Sequence, residues 1–367
     1  VFWAQIGVYK AVAHCLVNNV VIIGLLIGFH TFDYQRHFLS SVKRILRHEV
    51  DFNKISLRNR EVVVNTFPMG IDYSKFNEAA KKQKKQKKSQ RSELKVQLDL
   101  HKKSSDNSKL ILSIDRLDYT KGVVNRLKAF EIFLEKYPVY LEDVRMVMLC
   151  VPSRSNVSQY KKLKRETDEI VGRINGKFAT VNWTPIWYYY REISFEDLID
   201  LYMISDIAMI TPVRDGMNLV AKEFVATRVD MDGVLILSEM AGASKELFEA
   251  VSINPFDLDS MADSILKAIK MPLDEQKRRN NTMQKRLSRY TVKYWAKEFF
   301  KALNKKSSEV KESSVKKINS SKAIEIKKEY NKSEKRLFLL DYDGTLIDFH
   351  HKPDCLLYTS PSPRDRG

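Results

Sequence analysis

Four charged residues in two short segments are the side chains of this sequence best suited to chemistry. Arg116 and Lys121 lie five residues apart in DRLDYTKG, and Arg214 and Asp215 are neighbours in TPVRDGMN. An arginine fork and a compact lysine charge suit the phosphates of a nucleotide diphosphate. Asp215 would repel a phosphate, so we expect it either to meet sugar hydroxyls or to cap the following helix. These residues predict a site that can hold a nucleotide diphosphate without a metal ion.

Two more charged residues are expected at the same place. Glu223 lies about two turns into the helix after Asp215, where a carboxylate suits ribose hydroxyls. The alternative role for Glu223 is an i,i+4 partner for a lysine or arginine. Arg154 follows a predicted strand directly, and it either holds a second phosphate or is an ordinary surface arginine. The sequence contains neither a Walker lysine motif nor GxGxxG, which argues against ATPases and NAD-dependent enzymes.

Apolar runs and helical periodicities alternate from residue 109 onwards. The predicted strands are Leu110–Ile114, Val144–Val151, Trp183–Tyr189, Asp206–Ile210 and Gly233–Leu237. The predicted helices are Val123–Tyr137, Val157–Gly172, Phe195–Ile204, Met217–Thr227 and Lys245–Ala250. This alternation predicts a doubly wound parallel sheet of the α/β class. Because right-handed crossovers bring the loops after parallel strands to one edge, the charged residues are expected to face one crevice.

Composition narrows the class of protein. A chain of 367 residues, 44% of them hydrophobic, can hold two or three domains. Cys15, Cys150 and Cys355 are too few and too scattered for a disulfide framework or a zinc site, and they fit a reducing, cytoplasmic setting. Much of the net charge of +17 lies in Lys81–Lys88 and Lys305–Lys335. Such runs are typical of solvated loops or linkers, so binding of nucleic acid is not expected.

The opening segment is apolar but is not expected to cross a membrane. Residues Ala11–Phe29 are near the minimum length of a membrane span, but His14, Asn18 and Asn19 interrupt them. The end of the segment is typical of a buried strand that runs into a loop. The sequence starts at Val1 without an initiator Met and in the middle of a pattern, so a fragment is expected.

Several stretches of the chain resemble, in their joint order, the trehalose-6-phosphate synthases, which are retaining glycosyltransferases of the GT-B fold. The stretches are IGFHTFDYQRHF, FPMGID, SIDRLDYTKGVVNRLKAFEIFLEKYP, VPSRSNVSQY, VGRINGKF, TPVRDGMNLVAKEF and LILSEMAGASKEL, and they span about Ile27 to Leu303. The resemblance implies two Rossmann-like, doubly wound parallel sheets. It also implies transfer of glucose from UDP-glucose to glucose 6-phosphate, giving trehalose 6-phosphate and UDP.

The resemblance assigns a role to each candidate residue. The positions matching Arg116 and Lys121 hold the donor diphosphate, that matching Arg154 holds the acceptor phosphate, and that matching Glu223 binds the donor ribose. The donor glucose is bound by the carboxylate and backbone amides of the positions matching Asp215, Gly216, Met217, Asn218 and Leu219. No protein nucleophile and no cofactor are implied for this reaction. Stabilisation of the departing UDP by Arg116 and Lys121 would supply much of the catalysis, with Asp215 as the third catalytic residue.

The sequence departs from the family at its start. The Gly-containing donor loop and the HIPFP-like segment of the first Rossmann domain are absent. Residues 1–72 are therefore expected to be the end of the acceptor-side domain, with residues 1–20 unmatched. Residues 73–303 are expected to form the donor domain, with a basic insertion at 81–91. A catalytically silent, sugar-phosphate-binding regulatory module is the alternative function, and homo-oligomerisation stays open.

The end of the chain predicts the beginning of a different domain. A Lys/Ser-rich linker is expected at 304–334, followed by RLFLLDYDGTLIDF within 335–354. This motif resembles the first motif of haloacid-dehalogenase-type (HAD-like) phosphatases. The resemblance makes Asp341 a nucleophile and Asp343 a general acid/base, with Mg²⁺ as the cofactor of a complete phosphatase domain. Only the first strand of that domain is present, so no phosphatase activity is expected, and residues 355–367 are expected to be an artefactual tail.

Overall fold

The computed structural model of the chain describes residues 26–57, 60–85, 93–104, 107–153, 157–313 and 320–334. The chain divides into two compact units, Val1–Glu309 and Val310–Gly367. The described residues that bear on the candidate site all belong to the first unit. The predicted features that lie outside the described residues are Arg154, Asp341, Asp343, residues 1–20 and residues 335–367.

A small sheet forms from the first described strands. The strands are β1 (Leu26–Phe29), β2 (Glu49–Asp51), β3 (Lys54–Leu57) and β4 (Arg60–Thr66), in the spatial order β1-β4-β3-β2. β1 and β4 pair in parallel, whereas β4, β3 and β2 pair in antiparallel fashion. Helix α1 (Phe32–Ile45) buries Phe38, Leu39 and Val42 in a core shared with Val62 and Val64 of β4.

A larger sheet carries most of the chain. Its strands are β5 (Lys109–Arg116), β6 (Val144–Val151), β7 (Ile186–Tyr190), β8 (Ile207–Ile210), β9 (Val234–Ser238) and β10 (Val251–Ile253). Their spatial order is β10-β9-β8-β5-β6-β7, and every pair is parallel. The central strands are buried on both faces, which explains their unbroken apolar runs. The predicted parallel sheet is confirmed.

Helices from α2 to α9 cover both faces of the larger sheet. The helices of the chain after α1 are α2 (Tyr73–Lys84), α3 (Glu93–Ser104), α4 (Val123–Lys136), α5 (Ser158–Phe178), α6 (Phe195–Ile204), α7 (Leu219–Thr227), α8 (Leu258–Ile269), α9 (Leu273–Arg289), α10 (Val292–Ser313) and α11 (Ser320–Lys332), the last of which belongs to the second unit. Apolar side chains of α4, α5 and α8 form the core on one face. Those of α3, α6, α7 and α9 form the core on the other face, so the sheet is doubly wound.

Two predicted helices differ from the structure near the site. The predicted helix Lys245–Ala250 is wrong: a 3₁₀ helix at Gly242–Lys245 overlaps its start, and turns follow. The Ala243 N–H donates a hydrogen bond to the Met217 carbonyl at 2.7 Å. Tertiary contacts of this kind, rather than helix propensity, determine the backbone conformation here. The helix predicted from Met217 begins at Leu219, because Asn218 takes a left-handed conformation (φ 65°) and acts as its N-cap.

The basic runs are more helical than predicted. Lys81 to Lys84 form the last turn of α2, in which Ala80 and Gln83 are buried, so the basic insertion predicted at 81–91 begins inside a helix. Apart from Ser333 and Glu334, the described parts of the predicted linker 304–334 belong to α10 and α11, since Lys, Glu and Ala are good helix formers. Among the described residues, no helix has the length and apolar character needed to span a membrane.

Candidate active site

The loop after β5 carries the predicted diphosphate residues. Arg116 is the last residue of β5, and Lys121 ends the short 3₁₀ helix Tyr119–Lys121. Asp118 shapes this loop, since it accepts hydrogen bonds from the Thr120 N–H (2.9 Å), the Thr120 hydroxyl (2.8 Å) and the Tyr160 hydroxyl (2.8 Å). Burial acts to raise the pKa of Asp118, but these hydrogen bonds prevail and lower it below its ordinary value.

Gly122 lets this loop lie against the loop after β8. Its φ of 65° is in the left-handed region, and a Cβ there would lie 2.1 Å from the Thr211 carbonyl oxygen. The N–H groups of Val213 and Arg214 both donate to the Thr120 carbonyl, at 2.9 and 3.3 Å. The two loops that carry the candidate residues are therefore joined through backbone hydrogen bonds.

Asp215 organises the loop after β8. Its carboxylate accepts hydrogen bonds from the Met217 N–H and the Asn218 side-chain amide, both at 3.2 Å. Its backbone pairs with the loop after β9, because its N–H donates to the Met240 carbonyl and its carbonyl accepts from the Gly242 N–H. Asn218 caps α7 by accepting from the Ala221 N–H at 3.2 Å. The alternative that Asp215 is the N-cap is therefore wrong.

The structure brings Lys121 and Asp215 together. The Lys121 ammonium lies 2.5 Å from a carboxylate oxygen of Asp215, and the two side chains are 16% and 14% exposed. Arg116, by contrast, is exposed, and its side chain makes no hydrogen bond or ion pair with the described part of the chain. The edge of the sheet thus presents the exposed Arg116 at the end of β5 and the Lys121–Asp215 ion pair in the loops that follow β5 and β8. These groups can accept an anionic group and a hydroxyl-bearing group.

Glu223 lies on α7 and is linked to a neighbouring helix. Its carboxylate accepts a hydrogen bond from the hydroxyl of Tyr202, on α6, at 2.8 Å. Burial raises the pKa of Glu223, and the hydrogen bond from Tyr202 opposes the rise. The residue four positions later is Thr227, so the alternative role as an i,i+4 partner of a lysine or arginine is wrong. The role towards a ribose stays a prediction.

The structure adds Tyr34 to the candidate site. Tyr34 belongs to α1, and its hydroxyl accepts a hydrogen bond from the Arg214 guanidinium at 3.4 Å. The guanidinium also lies 5.6 Å from the centre of the Tyr34 ring, and a Cβ on Gly216 would lie 3.4 Å from that ring. Tyr34 was not among the residues predicted for the site. Its side chain combines an apolar ring with a polar hydroxyl, which is the one property of this residue type that suits such a contact.

Within the described residues, no group of His, Cys, Asp or Glu side chains is arranged to hold a metal ion. The expectation that transfer chemistry at this edge needs no cofactor stays a prediction.

Solved structures of trehalose-phosphate synthases share this fold. One from Burkholderia xenovorans in complex with glucose-6-phosphate is 33% identical, with a TM-score of 0.71, and the match covers 76% of this chain and 60% of that one. One from E. coli bound with UDP-2-fluoro glucose is 31% identical, with a TM-score of 0.69 and coverage of 76% and 60%. The protein is therefore a GT-B-like α/β protein, as predicted.

The sequence also matches one glycosyltransferase family. The profile of glycosyltransferase family 20 matches residues 11–305. A bifunctional trehalose-6-phosphate synthase/phosphatase from Thermoproteus tenax is 43% identical over 330 residues, which is 89% of this chain and 44% of the relative. A UDP-forming α,α-trehalose-phosphate synthase from Dictyostelium discoideum is 40% identical over 329 residues, with coverage of 89% and 43%. The chain belongs to glycosyltransferase family 20, and it spans less than half the length of these two relatives.

Proposed function

We propose that this chain carries the donor site of an enzyme that transfers glucose from UDP-glucose to glucose 6-phosphate, giving α,α-trehalose 6-phosphate and UDP. Family membership supports the reaction class. The observation that carries the proposal is the Lys121–Asp215 ion pair, which joins the loops after β5 and β8 at the sheet edge where the exposed Arg116 ends β5. Cations for a diphosphate and a carboxylate for sugar hydroxyls are the groups that a nucleotide sugar requires.

In this proposal the two cations hold the donor diphosphate. A hydrogen bond to a charged group contributes about 1.5–3 kcal/mol, so Arg116 and Lys121 together can hold the diphosphate without metal. The diphosphate would take over the Lys121 ammonium, which releases Asp215 to accept hydrogen bonds from the donor glucose. The backbone amides of residues 216–219 would complete the glucose site, and Glu223 would accept from the ribose.

Catalysis would then be electrostatic. The bond between the glucose C1 and the diphosphate oxygen breaks, and C1 bonds to the acceptor hydroxyl oxygen on the same face. The acceptor proton passes to the departing diphosphate, so the reaction balances without a protein nucleophile. Arg116 and Lys121 stabilise the negative charge that develops on UDP. Arg154 would hold the acceptor phosphate, and this role stays a prediction.

Binding without turnover is the second candidate function, because the chain spans less than half the length of the Thermoproteus tenax and Dictyostelium discoideum relatives. A sugar-phosphate-binding regulatory module would use the same residues. A HAD-like phosphatase part with Asp341, Asp343 and Mg²⁺, a homo-oligomer and a cytoplasmic location are further proposals from the sequence pattern.

The test is product formation by the whole chain. UDP-glucose and glucose 6-phosphate are incubated with the wild type, and UDP and trehalose 6-phosphate are quantified by mass spectrometry. Equal amounts of both products, lost in Asp215→Ala and kept in the exposed-lysine control Lys162→Ala, are expected. Binding of UDP-glucose without product would favour the regulatory module. A chain that binds neither substrate would contradict both functions.

A further inference from the structure

A buried arginine lies beneath the candidate site and has no role in the reaction described above. Arg126 is on α4, one turn after Gly122, and its side chain is only 1% exposed. Its backbone N–H donates to the Gly122 carbonyl, which is the first hydrogen bond of the helix. The backbone of Arg126 is therefore anchored to the turn that carries Lys121.

The guanidinium of Arg126 joins several segments of chain that carry candidate residues. It donates hydrogen bonds to Ser113 (2.6 Å) and Asp115 (2.7 Å) on β5, and to the Thr211 hydroxyl (3.0 Å) after β8. It also donates to the backbone carbonyl of Lys121 at 3.1 Å. These acceptors lie beside or within the segments that hold Arg116, Lys121 and Asp215. A single planar fork thus ties β5, the Lys121 turn and the end of β8 together.

Arg126 also balances a buried negative charge. Asp115 is 2% exposed and forms an ion pair with Arg126 at 2.7 Å. Burial raises the pKa of Asp115, and the positive charges of Arg126 and Lys121 oppose the rise. The Lys121 ammonium is therefore attracted electrostatically by Asp115 as well as by Asp215. With Arg126 in place, Asp115 has its own partner, and the Lys121 ammonium is left to a ligand and to Asp215 alone.

A purely structural role explains this cluster poorly. A buried ion pair is weak support for stability, because the desolvation of both charges offsets their attraction. Apolar side chains of similar volume fill such sites equally well in many proteins. An apolar side chain at this position could neither donate a hydrogen bond to the Lys121 carbonyl nor neutralise Asp115, whereas Arg126 does both.

We propose that Arg126 is a positioning residue for the nucleotide diphosphate: it holds the Lys121 turn against β5 and β8 and keeps the charge of Asp115 from capturing the Lys121 ammonium. This inference rests on the proposed function. It predicts that replacing Arg126 lowers the affinity for the diphosphate part of the ligand and leaves the affinity for the nucleoside part unchanged. The guanidinium is buried, so we expect this effect to act through the Lys121 turn.

The test compares UDP with uridine, which lacks both phosphates, on the full chain. Affinities for UDP are measured by calorimetry and for uridine by ligand-observed NMR, for the wild type, Arg126→Met, Arg126→Lys and the double variant Asp115→Asn/Arg126→Met. In Arg126→Met we expect UDP to bind roughly tenfold or more weakly, with uridine within about twofold of the wild type. Arg126→Lys keeps the charge but reaches fewer acceptors, so it should restore part of the UDP affinity.

The double variant separates the two proposed effects of Arg126, which are neutralisation of Asp115 and the hydrogen bond to the Lys121 carbonyl. It removes the unpaired buried carboxylate, so its melting temperature should return towards that of the wild type, while its UDP affinity stays roughly fivefold or more below it. UDP affinity within about twofold of the wild type in every folded variant would overturn the inference, as would equal losses for UDP and uridine. If Arg126→Met does not fold, Arg126→Lys and the double variant decide by the same criteria. A wild type that binds no UDP would overturn the proposed function together with this inference.

Discussion

The Lys121 ammonium lies 2.5 Å from the Asp215 carboxylate, although the two residues are 94 positions apart in the sequence. In the proposed complex they serve different parts of one ligand, the diphosphate and the glucose. A phosphate and Asp215 compete for the same ammonium, so the ion pair has to open or be shared when the ligand binds. In the free protein the pair keeps both side chains at the edge of the sheet, which lowers the ordering cost of binding.

Replacing Asp215 by Asn separates its two proposed contacts. Without the carboxylate, Lys121 is free for the diphosphate, so UDP should bind as well as to the wild type or better. UDP-glucose should lose about 1–3 kcal/mol of its affinity relative to UDP, because a charged acceptor for the sugar hydroxyls is gone. Calorimetric titration with both ligands measures this difference. A parallel loss of affinity for UDP and UDP-glucose would contradict the assignment of Asp215 to the sugar.

Replacing Gly122 by Ala should destabilise the fold and disturb the Lys121 turn. The residue has a φ of 65°, and the new Cβ would lie 2.1 Å from the Thr211 carbonyl oxygen. We expect the free energy of unfolding to fall by about 2–4 kcal/mol, measured by urea denaturation. Gly172→Ala is the matched control, because Gly172 is exposed in α5 and a Cβ there would meet nothing within 4 Å. That control should gain about 0.5–1 kcal/mol; similar effects at both sites would refute the geometric argument.

Glu223 should make stability depend on pH. Burial raises its pKa above the ordinary value of 4.5, so the unfolded chain ionises this group at a lower pH than the folded chain does. Stability linked to Glu223 is therefore complete below pH 4.5 and is lost as the pH rises through the raised pKa. Glu223→Gln lacks this loss, so its unfolding free energy should gain on that of the wild type as the pH rises from 4.5 through the raised pKa of Glu223. Urea denaturation across this range measures the gain, with Glu166→Gln on the exposed face of α5 as control. A difference that does not change with pH would rule out a buried, titrating Glu223.

Cys150 should be unreactive in the native protein. The thiol is buried in β6, and burial raises its pKa to about 12, so almost no thiolate is present near neutral pH. We expect iodoacetamide to leave Cys150 unmodified in buffer and to alkylate it fully in urea, as detected by mass spectrometry of the peptide that contains it. Rapid alkylation without denaturant would show that the core around β6 opens readily.

The fold was predicted best where local pattern and tertiary environment agree. Strand β6 (Val144–Val151) has the predicted bounds, because it is an apolar run inside a parallel sheet. Helix α6 (Phe195–Ile204) also has the predicted bounds, because its apolar residues recur at helical spacing. The prediction failed at Lys245–Ala250, where Arg279 and Arg286 of α9 donate hydrogen bonds to the Glu249 and Glu246 carbonyls. It also underestimated helix in the Lys-rich 304–334 region, because composition was given more weight than helix propensity.

The sequence was sufficient to predict that the candidate site residues lie at the same edge of the larger sheet. Sheet topology alone placed Arg116, Lys121 and Asp215 at one edge, since Arg116 ends a parallel strand and the other two residues follow parallel strands. Two contacts were beyond the reach of pattern: the ion pair of Lys121 with Asp215, and the contact of Arg214 with Tyr34 across 180 positions. Neither partner carries a local signal for the other, because such pairs depend on how loops pack in three dimensions.

The central claim, that Arg116 and Lys121 bind the diphosphate of the donor, is tested most directly by calorimetric titration of UDP. Arg116→Ala and Lys121→Ala are compared with the matched controls Arg165→Ala and Lys162→Ala, whose side chains are exposed on α5. The account predicts that each site variant loses about 1.5–3 kcal/mol of UDP affinity while both controls bind as the wild type does. Equal UDP affinity in the wild type, Arg116→Ala and Lys121→Ala would contradict it.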